Sequence, residues 1–117
     1  MKEMPLFTRA FDFVSWVIPR TMSFPRSQRF VVTGRLQAAV LDFYERIIEA
    51  NEFHGSARLE RLHQADIALN KVRLYLRLSA RWEWLSAGQY EHVSQMVAEL
   101  GRLLGGWLRQ TRQPAAH

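Results

Sequence analysis

Arg73, Arg77 and Arg81 stand four residues apart inside a stretch, Ile67 to Trp82, that also holds Lys71 and contains no acidic residue. On a helix this spacing places the three guanidinium groups on one face. Like charges at i, i+4 cost a few tenths of a kcal/mol each, so the arrangement gains nothing on its own and makes sense with an anionic partner. A guanidinium offers a rigid fork of donors that matches phosphate and carboxylate oxygens. Three in a row could track successive phosphates and release counterions, giving salt-dependent, largely sequence-independent binding. A second acid-free stretch, Phe13 to Leu41, carries Arg20, Arg26, Arg29 and Arg35. The candidates for nucleic-acid or partner contact are therefore Arg73, Arg77, Arg81, Lys71, Arg26 and Arg29. Two other readings of the same charges stand beside this one: a solvated face, or pairing with Asp42, Glu45 or Glu49 from another helix.

Other chemistry lacks support. Glu60-Arg61-Leu62-His63 matches the Glu-x-x-His unit of di-iron bundles, but such sites need two units and two further glutamates, and His54 and His92 have no glutamate three positions earlier. His63 reads as a surface or helix-turn residue, and no metal or cofactor is expected. No zinc-protease, nucleophile-elbow or phosphate-loop motif occurs, so the expectation is a binding protein rather than an enzyme. The chain has no cysteine, which removes disulfides and thiolate metal sites and suits a reducing cytoplasm. Neither a signal peptide nor a membrane-length apolar run is read, so a soluble cytoplasmic protein is expected, with no membrane partner. Its net charge is +5, and Lys2 and Lys71 are the only lysines among 16 basic residues. That arginine bias favours anion recognition, although a GC-rich genome produces the same bias.

The elements that must position these residues are helical. Length fits one domain, 1–117, and 48% hydrophobic residues supply a core large enough to offset ordering entropy. Apolar residues recur at helical spacing and no alternating strand pattern is present. The first helix should begin near Pro5, bury Phe7, Phe11, Val14 and Ile18, and end or kink at Pro19. The second should run from about Arg26 to Phe53 with Phe30, Leu36, Val40, Phe43 and Ile47 inward. After Gly55, with Ser56 as a possible N-cap, the third should run from about Ala57 to Trp84 on a core stripe of Leu62, Ala65, Leu69, Val72 and Leu76. Ser86-Ala87-Gly88-Gln89 reads as a capping box, with Leu85 and Tyr90 as its hydrophobic staple. The fourth helix then carries Tyr90, Val93, Val97, Leu100, Leu104 and Trp107 to about Gln110, leaving Pro114 to His117 as a frayed tail. Short connections between long helices predict an all-α, up-down-up-down four-helix bundle.

Apolar surface exceeds what one such core can bury. The third helix has a second set, Ile67, Leu74, Leu78 and Leu85, well away from its core stripe, and the second helix adds Val31, Leu41, Tyr44 and Ile48. Surplus of this kind marks an interface, or else a broad core with a few exposed side chains. Three glycines fall inside the fourth helix at Gly101, Gly105 and Gly106, each costing about 1 kcal/mol relative to alanine. Gly101 and Gly105, four apart, make a smooth strip that another helix can approach. Ile67, Leu74, Leu78, Gly101, Gly105 and Trp107 are the candidate oligomer interface.

Four segments together carry a family resemblance: Phe24-Pro25-Arg26-Ser27-Gln28-Arg29-Phe30, Val72-Arg73-Leu74-Tyr75-Leu76-Arg77-Leu78, Gln89-Tyr90-Glu91-His92, and Gly101-Arg102-Leu103-Leu104-Gly105-Gly106-Trp107-Leu108. From Phe24 to Leu108 the chain resembles the accessory variability determinant of diversity-generating retroelements. The resemblance implies a four-helix protomer assembled into a basic, barrel-like homopentamer. It also implies a non-catalytic partner of a retroelement reverse transcriptase that binds nucleic acid while template RNA is copied with adenine-directed errors. Arg73 and Arg77 match that family's Arg-x-x-x-Arg. Five copies of a +5 chain would carry 5 × 5 = +25, a field that steers RNA at long range. The four-helix proteins encoded in ribosomal RNA intervening sequences share the fold and the oligomeric habit, and they imply a structural adaptor without direct nucleic-acid binding.

Overall fold

The computed structural model describes residues 4–113, so the tail expected at Pro114 to His117 lies outside the described residues. Four helices form: α1 Pro5–Thr21, α2 Gly34–Asn51, α3 Gly55–Arg81 and α4 Ala87–Arg112. Among the described residues there is no strand. Each helix packs on its neighbour in sequence, α1 closes the ring against α4, and the α2–α3 contact is the most extensive. The result is an elongated bundle of 55 × 25 × 22 Å around one continuous apolar core.

Pro5 occupies the first turn of α1, where its missing N–H costs nothing. Pro19 does not end the helix, which runs one partial turn further to Thr21. There Thr21 Oγ1 donates to Ile18 O at 2.6 Å and Met22 N–H to Pro19 O at 3.2 Å, closing off last-turn carbonyls. The fully buried face of α1 is Leu6, Ala10, Phe13, Val17 and Thr21; the first four stand one residue before the expected Phe7, Phe11, Val14 and Ile18, of which Phe7, Val14 and Ile18 are half-buried against the same core. Both sets obey the same 3–4 spacing. Small Ala10 lets the backbone approach closely, whereas Phe11 is 58% exposed and rests its ring 6.5 Å from Tyr44.

The expected second helix is three pieces: a 3-10 turn at Arg26–Gln28, a π turn at Arg29–Thr33, and α2. Leu36, Val40, Phe43 and Ile47 are buried as their spacing predicts, but Phe30 is 87% exposed. A π turn adds one residue to the helical circuit, so residues ahead of it are rotated by about 100° and Val32 takes the inward place. Gly34 permits this. The Arg29 carbonyl that accepts the Gly34 N–H would sit 2.7 Å from a Cβ at that position.

All five expected core residues of α3 are buried. The helix begins at Gly55, with His54 and not Ser56 preceding it. It stops at Arg81, earlier than expected, in a reversal where Glu83 adopts φ 62° and Trp84 N–H bonds back to Ser79 O at 2.8 Å. Leu85 therefore leaves the helical wheel and is buried, so it does not belong to the outward set. The capping box is present: Gln89 N–H donates to Ser86 Oγ at 3.1 Å and Ser86 N–H to Gln89 Oε1 at 2.9 Å.

Candidate functional site

The α3 arginines separate into two environments. Arg73 and Arg77 line a groove of about 320 Å³ between α3 and α4, together with Leu76, Tyr90, Ser94, Val97 and Ala98. Leu76 and Val97 are buried, and Tyr90 stands half-buried in the first turn of α4, where the cap holds it. Arg73 donates from Nη1 to Asn70 Oδ1 at 2.6 Å, and its guanidinium lies across Gly101, where a Cβ would come 2.5 Å from Nη2. The missing side chain at Gly101 is thus filled by an arginine of the same protomer. An apolar floor beneath two planar cations suits a ligand that has both a flat or hydrocarbon part and an anionic group.

Arg81, the last residue of α3, is exposed at a helix C-terminus, where the helix dipole favours a cation. Lys71 points elsewhere: it lines a different groove, about 330 Å³, between α2 and α3 with Asp42, Arg46, Gln64, Ile67 and Ala68. Among the described residues the ion pairs are Arg46–Glu49, Arg61–Glu49 and Arg102–Glu99, so none of the candidate cations is neutralised by Asp42, Glu45 or Glu49.

At the α1–α2 corner the 3-10 and π turns bring Arg26 and Arg29 to a third cavity of about 420 Å³, lined also by Thr21, Met22, Phe24, Pro25, Thr33 and Gln37. Phe24 is buried with its ring 5.4 Å from Trp84, which ties this corner to the end of α3. Arg20 is not free in the same way: it lies 4.0 Å over the Trp16 ring and donates to Trp16 O at 2.8 Å. Spacing does not mark Thr33, Gln37 or Ser94 as site residues, and it marks Tyr90 only as a staple and core position of α4. A lone glycine after a threonine inside an otherwise helical, acid-free run, Thr33-Gly34, was the available sign of irregular backbone.

The outward apolar set is real at Ile67 and Leu74, 56% and 51% exposed, while Leu78 is half-buried. Leu41 and Ile48 of α2 are also exposed. Trp107 requires correction as an interface residue: it is 4% exposed, its ring meets Phe7 edge-on at 5.8 Å, and Arg58 covers it. Its bulk is spent on the protomer's own core. Gly105 faces the end of Arg109, 3.4 Å from where a Cβ would stand. His63 is exposed, and its Nε2 lies 3.3 Å from Arg112 Nη2, from which it can only accept. Among the described residues no three His, Asp or Glu side chains gather as a metal site, and no helix is long and apolar enough to cross a membrane.

A crystal structure of a protein of unknown function from the S23 ribosomal protein family of Bacteroides thetaiotaomicron VPI-5482 has the same fold, with a TM-score of 0.80. The alignment covers 89% of this chain and 95% of that one at 20% identity. No curated protein matches. A model of the bAvd-like family matches residues 6–111, a span that takes in the first helix as well as the segments from Phe24 to Leu108. With all but the end residues of the four helices, and the whole of the Arg73–Arg77 groove and the Gly101 seat, inside that span, the chain belongs to the bAvd-like family.

Proposed function

We propose that the protein is a non-catalytic accessory subunit of a diversity-generating retroelement, holding nucleic acid and docking a reverse transcriptase during mutagenic copying of template RNA. The observation that supports this most directly is the pair Arg73 and Arg77, side by side above an apolar groove and without a carboxylate partner among the described residues. In this reading their guanidinium groups bind phosphate, with Arg81, Arg26 and Arg29 extending the basic surface and Lys71 contributing from another face. The exposed stripe of Ile67 and Leu74, joined by Leu78, buries itself against other copies in a homo-oligomer, and family membership favours a pentamer. Gly101 and Gly105 serve packing within the protomer. The setting is the cytoplasm.

The test is fluorescence anisotropy of a labelled structured RNA at several salt concentrations, with Arg73→Ala/Arg77→Ala compared after its native mass is confirmed. The wild type should bind with a steep salt dependence, and the variant should lose about two units of the log–log salt slope. An absence of wild-type binding even at low salt would overturn direct nucleic-acid contact. It would favour the second reading, an oligomeric structural adaptor whose arginines serve assembly. That reading expects Arg73→Ala/Arg77→Ala to lower the mass of the assembly.

A further inference from the structure

We propose that the cavity at the α1–α2 corner is a mononucleotide site, in which Arg26 and Arg29 hold a phosphate and Thr33 and Gln37 bond the edge of an unstacked base. The proposal deepens the nucleic-acid reading but stands on different residues from the α3 groove.

Three observations carry it. First, Thr33 is 6% exposed, lines the cavity, and its Oγ1 is buried without a hydrogen-bond partner among the described residues. A buried hydroxyl left unpaired costs about 1–3 kcal/mol, so its retention points to a group that arrives from outside. In an ordinary helix this hydroxyl would turn back to the carbonyl four residues earlier. Here that carbonyl, Arg29 O, accepts the Gly34 N–H across the π turn, and the Thr33 hydroxyl makes no bond to it. Secondly, Gln37 Nε2 donates to Thr21 Oγ1 at 2.8 Å, and Thr21 in turn donates to Ile18 O. This chain of bonds fixes the amide and leaves its Oε1 as the acceptor. A hydroxyl and an amide oxygen offer the mixed donor and acceptor pattern that a base edge requires. Thirdly, Arg26 and Arg29 stand at the same cavity, exposed and outside every ion pair among the described residues. The volume, about 420 Å³, lies within the range of small-ligand sites, and Met22, Phe24 and Pro25 supply apolar walls for a ring. The π turn shapes the site, since Arg29 and Thr33 are its two ends.

The experiment is a backbone-amide NMR titration of the full chain with each of the four ribonucleoside 5′-monophosphates, with inorganic phosphate, and with the matching nucleosides. We expect saturable shifts centred on residues 21–37, with at least one monophosphate binding more tightly than inorganic phosphate. Arg26→Ala/Arg29→Ala should weaken monophosphate and phosphate alike by about tenfold or more. Thr33→Val should weaken the monophosphate several-fold, leave phosphate unchanged, and raise the Tm, because it removes an unpaired buried hydroxyl. Shifts located elsewhere, no binding, or equal binding of phosphate and every monophosphate would overturn the proposal, as would Thr33→Val binding like wild type. Arg73→Ala/Arg77→Ala should keep its monophosphate affinity. Structured-RNA binding without monophosphate binding would remove this site alone, whereas monophosphate binding without structured-RNA binding would remove the α3 reading alone.

Discussion

The two ends of the bundle use arginine in opposite ways. Where α2 ends and α3 begins, Arg58 Nε donates to Ala50 O at 2.9 Å and stacks over Trp107, and Arg61 lies 4.0 Å over Phe53. Glu49 pairs with both Arg46 and Arg61. These cations are consumed by capping, cation–π contact and carboxylates. At the other end, where α1 and α3 finish and α2 and α4 start, Arg26, Arg29, Arg77 and Arg81 have no ion-pair partner among the described residues, and only Arg20 is folded inward onto Trp16. Arginine stands at both ends, but Glu45, Glu49, Glu52 and Glu60 flank the α2–α3 junction whereas Phe13 to Leu41 holds no acidic residue, so what differs is whether the protomer itself satisfies the charge. An end whose charges are left unsatisfied in the protomer is where an anion gains most.

The strongest way to break that contrast is at the backbone that shapes the basic end. Gly34→Ala should destabilise the chain by about 1–3 kcal/mol, read from urea denaturation, because the new methyl meets the Arg29 carbonyl, a backbone atom that cannot swing aside. Monophosphate binding at the α1–α2 corner should fall with it. Unchanged stability and unchanged binding would mean that the π turn relaxes to an ordinary helix at no cost and specifies nothing.

This same corner marks the limit of what the sequence made legible. The core stripes of α3 and α4 follow from periodicity alone, because those helices run without interruption and the Ser86–Gln89 box announces its own geometry. In α1 two stripes of identical spacing compete, and the choice of Leu6, Ala10, Phe13 and Val17 over Phe7, Phe11, Val14 and Ile18 is a tertiary decision, made by which face lets the helices approach. Periodicity turns Phe30 inward and the structure turns it outward, because a one-residue insertion in helical register leaves no trace in a 3.6-residue pattern. Spacing and acid-free context single out Arg73 and Arg77, which line one groove. Their groove partners Tyr90 and Ser94 come from another helix, and no local pattern joins them. The Gly101–Gly105 spacing predicts a seat for a neighbouring helix, and the structure fills Gly101 with Arg73, a contact that sequence distance hides.

Gly101→Ala sharpens the contrast through a smaller effect of opposite sign. The added methyl also meets an atom within contact distance, but that atom is the end of the flexible Arg73 side chain. Arg73 can move away, so alanine's helix preference should appear as a gain of up to about 1 kcal/mol in thermal or urea unfolding. Displaced from its seat, Arg73 loses its fixed position over the groove, and structured-RNA affinity should drop several-fold while the assembly mass stays the same. A loss of stability would instead make Gly101 a true helix-contact position.

The smallest effect belongs to the satisfied end. Glu49→Gln removes the shared partner of Arg46 and Arg61, whose side chains are 30% and 29% exposed. For partly exposed pairs the loss should be only a few tenths of a kcal/mol. Its value lies in RNA binding. The substitution removes one negative charge and so raises the formal net charge from +5 to +6 without touching the basic end. If affinity follows the overall field of the particle, anisotropy titrations at low salt should show tighter binding and a steeper salt slope. If affinity belongs to guanidinium groups left unpaired at the other end, both should match wild type, because Arg61 remains held by packing over Phe53 and by the Ala57 carbonyl and Arg46 stays on α2, away from the basic end. Measured alongside Arg73→Ala/Arg77→Ala, the variant separates how much charge the molecule carries from where that charge is left without a partner.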